Sequence, residues 1–496
     1  MPASDTRQSP SVPLAALPEA RAALAPDAPC VADEAMRLDN AAFADRVARA
    51  AALLTRLGVR EGDVVAVVLA NRAELIISLF AAWRLGAAIT PVNPSLTATE
   101  MQYQVDDAGA RVVIGRGLEL NAKVVGVEEL AREAPAAGSR ADVDPAALAL
   151  LIYTSGTTGK PKGVMLDHAN IAAMCAMACA GLGITDSDHS LLILPLFHVN
   201  GIVVGTLTPL LAGGQVTIAG RFSPRTFLGL VERVRPTYFS AVPAMYAMLT
   251  TLPDVASDTS SLRLVVCGAA PMPAELIARV ERLLDVVLVE GYGLSEATCA
   301  STLNPYDGVR KPGTVGLPLP GQDVRVVDEH GNEQPQGERG EVVISGPNVM
   351  RGYLGRPEET AKTIIDGWLH TGDVGLFDED GYLRIVDRIK DMIIRGGENI
   401  YPKEVESALH THEGVLEAAV VGRPDEVLGE VVIAYVALRP GAGATRDELH
   451  ELCAARLARY KRPVAIELLN ELPKNPVGKL DKPALRRLAQ TLDHDN

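Results

Sequence analysis

The segment Tyr153-Thr154-Ser155-Gly156-Thr157-Thr158-Gly159-Lys160-Pro161-Lys162-Gly163 constrains this chain more than any other, because it follows directly on the apolar run Ala147–Ile152. A short apolar run bounded by turn residues reads as a buried strand. A buried strand that opens into glycines, hydroxyls and lysines is a cradle for a triphosphate. The glycines let backbone N–H groups approach the oxygens, Thr and Ser hydroxyls donate hydrogen bonds, and lysine supplies opposing charge. This is not a Walker A loop, which has four residues between its glycines and a Ser or Thr straight after its lysine. Pro161 follows Lys160 here, which argues against a helix starting at the lysine. A flexible surface turn is the plainer reading of a Gly/Thr-rich stretch, but the density of donors and cations behind a hydrophobic strand favours phosphate.

The pattern around this segment is α/β. Ala42, Phe43, Val47, Ala50, Ala51, Leu54 and Leu57 recur at helical spacing, Gly58 ends the helix, and Val64–Leu69 reads as a buried strand. Helix and strand signals then alternate through Ile76–Leu85, Ala87–Val92, Glu100–Ala108 and Val112–Ile114, and again near Val216–Ile218, Leu262–Cys267 and Val286–Glu290. Such alternation predicts parallel sheets with helical crossovers. The Ala/Pro-rich first thirty or so residues are expected to be irregular. After Gly313 the texture changes to short strands between Asp/Gly turns, predicting a β-rich subdomain over about 313–386. At 496 residues the chain exceeds one compact core. The expected division is a large domain of α/β layers over 1–389, including the β-rich part, and a small mobile α+β domain over 390–496, with a boundary near Lys390.

The net charge of −15 argues against nonspecific binding of nucleic acid, which needs a basic surface. The six cysteines are scattered with no CxxC pair, so neither a disulfide framework nor a zinc site is implied and a cytoplasmic location is expected. No secretory signal is expected at the N-terminus, and His494-Asp495-Asn496 is not a peroxisomal address. Leu191–Gly214 carries no Asp, Glu, Lys or Arg and is long enough to span a bilayer. Pro195, His198, Asn200, Gly201 and Pro209 interrupt it, so two buried pieces around a pocket-lining loop are expected instead of a membrane span.

Five further segments follow in order: Glu290-Gly291-Tyr292-Gly293-Leu294-Ser295-Glu296, His370-Thr371-Gly372-Asp373, Asp387-Arg388-Ile389-Lys390-Asp391, Arg395-Gly396-Gly397-Glu398, and Asn475-Pro476-Val477-Gly478-Lys479. Each has a bland reading alone: a strand-ending turn, an Asp-led turn, a solvated charge run, a glycine loop and a solvated lysine. Together with the phosphate loop they resemble the adenylate-forming superfamily of acyl-CoA synthetases, firefly luciferase and nonribosomal adenylation domains, over residues from about 40 to 482. The resemblance to its acyl-CoA synthetase branch implies roles. Thr154, Ser155, Gly156, Thr157, Thr158, Gly159 and Lys160 would hold ATP, with Gly268, Ala269, Ala270, Glu290, Gly291 and Gly293 alongside. Tyr292 would stack near adenine, Ser295 touch phosphate and Glu296 hold Mg²⁺, a hard cation suited to oxygen ligands. Asp373 would accept from the ribose hydroxyls and Arg388 contact ribose and phosphate. Lys390 would be the hinge, Arg395, Gly396, Gly397 and Glu398 would shape the coenzyme A tunnel, and Lys479 would serve adenylation.

The mechanism this implies follows from charge. A carboxylate and ATP repel each other, so attack at the α-phosphorus needs cations around the transition state. The acyl-adenylate formed then meets a thiolate, and rotation about Lys390 would let one chain serve both steps. Phe197, His198 and Asn200, with Gly268 and Gly291, occupy the places that would meet the acid, and His198 resembles the gating histidine of acyl- and aryl-CoA ligases. No aspartate stands there for an amino-acid ammonium group, and no carrier-protein serine motif is present. Gly220-Arg221-Phe222-Ser223 resembles the oxalyl- and malonyl-CoA ligase branch, but Gly291 stands where the malonyl enzymes carry arginine. The resulting expectation is an ATP-, Mg²⁺- and coenzyme A-dependent ligase, monomeric or homodimeric, acting on a fatty, aryl or small organic acid. Its rivals are a stand-alone adenylating enzyme that loads a separate carrier protein, and a catalytically silent nucleotide-binding regulator.

Overall fold

The computed structural model describes residues 12–135, 142–154, 160–251, 257–270, 272–474 and 480–491. Two sheets dominate the first part of the chain. In one, the strands Val287–Tyr292, Leu264–Cys267, Tyr238–Ala241, His189–Leu192 and Gln215–Ile218 lie side by side in that order, all parallel. In the other the order is Lys162–Asp167, Leu148–Thr154, Ala88–Val92, Val64–Val68 and Ala110–Gly115. The first pair of that sheet is antiparallel and the rest are parallel.

The elements form where their residues dictate. Asp39 accepts a hydrogen bond from Ala42 N at 2.7 Å and so caps the helix Asn40–Arg56. That helix buries Phe43, Val47, Ala50, Ala51 and Leu54, the stripe its spacing predicts. Val64–Val68 is buried at every position, as expected for a strand with both faces covered.

The first thirty residues correct the sequence reading. Leu14–Ala16 forms a short 3₁₀ turn, Leu17–Leu24 a helix and Pro29–Ala32 a strand. Burial explains it: Leu14, Ala15, Ala16 and Leu17 are all in the core. The buried Arg21 donates to Asn40 Oδ1, Leu210 O and Gly214 O at 2.8, 2.5 and 2.7 Å, anchoring the segment through contacts distant in sequence.

The apolar stretch 191–214 does resolve into two buried pieces, the strand His189–Leu192 and a helix running from Val199 to Leu211. Its middle, Val203–Leu207, is π-helical. Thr206 Oγ1 and Thr208 Oγ1 donate to Gly201 O and Val203 O, each five residues back, at 2.8 and 2.9 Å. Among the described residues no helix is long and apolar enough to cross a membrane.

Beyond Gly313 the short strands Asp323–Val327, Gly340–Ser345, Ile364–Ile365, Trp368–Phe377 and Leu383–Arg388 make a five-stranded sheet. The last hundred residues centre on the antiparallel pair Val415–Asp425 and Gly429–Leu438, with Ala465–Leu469 parallel to the latter. Alternation sends Val420 and Val432 to a core with Val405, Leu409 and Leu449, and Val421 and Ile433 to one with Leu485 and Ala489. Helices thus cover both faces. The chain as a whole divides into two compact units: residues 1–324, 343–370 and 381–383, and residues 325–342, 371–380 and 384–496.

Candidate active site

The strand His189–Leu192 is followed in sequence by its neighbour on one side, Gln215–Ile218, and then by its neighbour on the other, Tyr238–Ala241. A reversal of strand order of this kind opens a crevice beyond the carboxyl ends of parallel strands, where α/β proteins bind ligands. Three of the predicted groups sit at such ends. Phe197, His198 and Asn200 follow His189–Leu192, Gly268-Ala269-Ala270 follows Leu264–Cys267, and Gly291 and Tyr292 close Val287–Tyr292.

His198 is the residue before the helix that begins at Val199, half-buried, its ring 4.8 Å from that of Phe197. Gly201 fixes this turn, since a Cβ there would stand 2.5 Å from Pro195 O. Asn200 Oδ1 is buried, and among the described residues it has no nitrogen or oxygen hydrogen-bond partner. Gly268 differs: a Cβ on it would meet nothing nearer than Gly291 O at 3.8 Å. Packing among the described residues therefore gives no reason for glycine at 268, whereas a ligand passing close to the backbone would. Ala269, just beyond, takes φ +70° and is exposed together with Ala270. A non-glycine residue in the left-handed region is strain of the kind concentrated at ligand sites. Gly291 and Gly293 have packing reasons of their own, because Cβ atoms there would lie 2.9 Å from Leu303 Cδ1 and 1.9 Å from Cys299 O.

In the strand Val287–Tyr292, Glu290 is buried and its Oε1 accepts from Met272 N at 3.1 Å. Burial pushes its carboxyl up to about 7. Tyr292 and Ser295 are half-buried, and Ser295 opens a 3₁₀ turn that presents Glu296. Glu296 Oε1 accepts from the Tyr353 hydroxyl at 2.9 Å, and its carbonyl accepts from Met350 N at 2.8 Å. Among the described residues no group of three or more His, Cys, Asp or Glu could enclose a metal. A lone carboxylate suits Mg²⁺, which keeps waters and shares substrate phosphates. Glu296 is therefore a fitting ligand.

The strands that flank the predicted phosphate segment, Leu148–Thr154 and Lys162–Asp167, pair antiparallel. Thr154 stands opposite Lys162 in the antiparallel pair, so strand, not helix, follows Pro161. Ser155, Gly156, Thr157, Thr158 and Gly159 lie outside the described residues. Lys160 is exposed, its Nζ 5.7 Å from the Tyr103 ring centroid. Lys162 pairs with Glu359 and lies over the Tyr353 ring at 5.1 Å. Around this strand pair, Tyr153 OH donates to Asp107 Oδ2 at 2.8 Å and Arg356 Nη2 to Tyr103 OH at 2.9 Å. Sequence reasoning missed Tyr103, Asp107, Tyr353, Arg356 and Glu359. Only Gly352-Tyr353 hinted at them, as a Gly-aromatic pair in an otherwise charged stretch.

In the second unit, Asp373 lies within the strand Trp368–Phe377 rather than at the start of a turn. It is buried, and its Oδ1 accepts from Arg388 Nε at 2.8 Å, so two residues expected at the ribose are in contact. Gly372 N donates to Glu341 Oε1 at 2.9 Å, holding the bend from which Asp373 projects. Asp387 is buried and accepts from Arg388 N and Lys403 N, both at 2.8 Å, so the charge run is not simply solvated. Lys390 falls in the single 3₁₀ turn Ile389–Asp391 with its side chain exposed. Arg395 donates to Tyr460 O at 2.8 Å, and Glu398 is exposed. Gly396 and Gly397, at φ +60° and +86°, make the two-residue turn between the strands Ile393–Arg395 and Glu398–Ile400. Such a turn needs positive φ at both positions, reason enough for two glycines. Lys479 lies outside the described residues, flanked by the antiparallel bridge of Lys474 with Leu480. Arg221 is exposed, a poor position for meeting a buried second carboxylate.

The model of the AMP-binding enzyme family matches residues 18–354, and that of the AMP-binding enzyme C-terminal domain matches 404–479. The chain belongs to the AMP-binding enzyme family. A relative, the feruloyl-CoA synthase of an Amycolatopsis species, is 40% identical over 486 residues, covering 96% of this chain and 98% of that protein. The ATP-bound crystal structure of MatB from Rhodopseudomonas palustris superposes with a TM-score of 0.90 at 32% identity, covering 96% of this chain and 99% of the other. The o-succinylbenzoate coenzyme A synthetase MenE from Bacillus subtilis, solved with ATP and a magnesium ion, gives 0.86 at 32% identity, covering 96% and 99%. Within the AMP-binding enzymes this chain is an acid–thiol ligase of the acyl-CoA synthetase branch.

Proposed function

We propose that this AMP-binding enzyme joins an aryl carboxylic acid to coenzyme A at the expense of ATP, with the acid seated between His198 and Gly268. The open space before Gly268 carries the reading: it lies at the carboxyl end of a parallel strand, beside the reversal in strand order, and nothing in the packing of the described residues requires it. The aryl relative at 40% identity supports the same class of acid.

The carboxylate oxygen attacks the α-phosphorus, the bond to pyrophosphate breaks, and a mixed acyl–AMP anhydride results. Lys160 and the Thr154–Gly159 hydroxyls and amides would hold the phosphates, and Lys479 would face the charge that develops in the transition state. When bound at Glu296, Mg²⁺ would neutralise phosphate charge and polarise the phosphoryl oxygens. Asp373, aligned by Arg388, would accept from the ribose hydroxyls. The thiolate of coenzyme A, guided by Arg395–Glu398, then attacks the acyl carbon and AMP leaves. Lys390 is our hinge between the two steps, separating 1–389 from 390–496. The lone turn in which it stands supports that role, since a short turn absorbs φ/ψ change readily. Six free cysteines favour a reducing cytoplasm, and a monomer or homodimer suffices because each proposed residue lies in one chain.

Coenzyme A-dependent AMP release measured over a panel of acids tests the proposal. Hydroxycinnamates and benzoates should turn over, and Gly268→Leu should abolish that turnover. Faster turnover of saturated long-chain acids, or AMP release without need of coenzyme A, would overturn it.

A further inference from the structure

Glu296 is not held by its own loop alone. Tyr353 reaches it from a strand that is remote in sequence: the short strand Gly352–Tyr353 pairs antiparallel with Lys162–Asp167, Tyr353 opposite Val164 and Gly352 opposite Met165. The same tyrosine is the surface on which Lys162 lies, 5.1 Å from Nζ to ring centroid, and Lys162 is in turn paired with Glu359. Arg351 N donates to Met165 O at 3.0 Å and Leu354 N to Gly163 O at 2.9 Å, so the Arg351–Leu354 segment is fastened to the strand Lys162–Asp167 on both sides of the tyrosine. Met350 N closes the arrangement by donating to Glu296 O at 2.8 Å. The strand Lys162–Asp167 and the side-chain carboxylate suited to the metal are therefore tied together through the Tyr353 phenol.

We propose that Tyr353 is a positioning residue for Mg²⁺·ATP, its hydroxyl fixing the Glu296 carboxylate at a set distance from the strand that follows the predicted phosphate segment, so that metal and phosphates are gripped in register. A carboxylate that swings freely must be ordered each time a metal binds. One that already accepts a hydrogen bond on Oε1 is oriented in advance, as outer hydrogen bonds orient metal ligands generally. The ring's contact with Lys162 couples the two halves of the grip: the cation that lies on the aromatic face belongs to that strand. The proposal rests on Glu296 as the metal ligand.

Mn²⁺ titration followed by electron paramagnetic resonance, with α,β-methylene ATP bound, reads metal affinity without turnover. Tyr353→Phe keeps the ring over which Lys162 lies and removes only the hydroxyl. It should weaken Mn²⁺ binding by about tenfold or more. In assays it should raise the half-saturating Mg²⁺ concentration, with kcat recovering at high Mg²⁺, a rescue that a merely structural defect would not show. Glu296→Gln is measured alongside. If Glu296→Gln weakens Mn²⁺ binding and Tyr353→Phe does not, the positioning role is wrong. If neither variant changes it, the assignment of Glu296 itself falls. A loss in Tyr353→Phe that high Mg²⁺ does not restore also overturns the proposal.

Discussion

At the scale of single residues, Asp373 shows how far local sequence reaches. His370-Thr371-Gly372-Asp373 alone reads equally well as a turn, and only its order among other motifs marked it. The structure adds a reason for aspartate in particular: buried and bonded to Arg388 Nε at 2.8 Å, it is held in one orientation. Asp373→Ala should therefore raise the KM for ATP and weaken AMP binding. Losing a hydrogen bond to a charged acceptor costs about 1.5–3 kcal/mol, or roughly ten- to hundredfold in affinity. Calorimetry of AMP binding decides it, and unchanged affinity in a folded variant would reject the ribose role. The contacts of Tyr353 were not legible in this way. Its partners, Glu296, Lys162 and Val164, lie tens to hundreds of positions away and carry no shared periodicity. Pairings of that kind arise only when the sheet is assembled.

At the scale of elements, period and burial made the strands and helices between residues 40 and 115 readable. Val64–Val68, covered on both faces, cannot show the alternation of a half-exposed strand and is recognised instead as an unbroken apolar run. The helix Leu17–Leu24 escaped notice because part of what anchors it is distant in sequence, Arg21 reaching Leu210 and Gly214. The strand Val287–Tyr292 holds a feature with a measurable consequence. Glu290 in the folded chain titrates near 7, against an ordinary 4.5, because it is buried. Below the ordinary value both folded and unfolded chains carry the proton. As pH rises toward 7 the unfolded chain loses it first, so stability falls through this window and levels off above it. A gap of that size corresponds to about 3 kcal/mol. Glu290→Gln keeps an acceptor for Met272 N and cannot ionise. It should raise the midpoint of thermal unfolding at pH 8 and leave it nearly unchanged at pH 4.5. An equal effect at both pH values would show that burial of the charge is not what matters.

For the whole molecule the question is how one chain serves two reactions with different needs. In the proposed mechanism adenylation would require Lys479 near phosphate, while thioester formation would require room for the pantetheine arm, and a single rigid arrangement would suit one better than the other. The proposed hinge at Lys390 stands in the lone turn Ile389–Asp391, between fixed neighbours. On one side Asp387 is locked to Arg388 N and Lys403 N. On the other, Arg486 from the last helix donates to Lys390 O at 3.3 Å and Asp391 Oδ1 at 2.6 Å. Rotation therefore has few bonds to absorb it, and restricting one of them should be felt. Proline fixes φ near −65° and removes the N–H, so Lys390→Pro should hold the small domain in one orientation, the adenylating one. The variant is expected to release pyrophosphate and accumulate bound acyl-adenylate while forming thioester very slowly. Rapid-quench measurement of both steps reads this directly, and thioester formation at the wild-type rate in a folded variant would place the hinge elsewhere or make the rotation unnecessary.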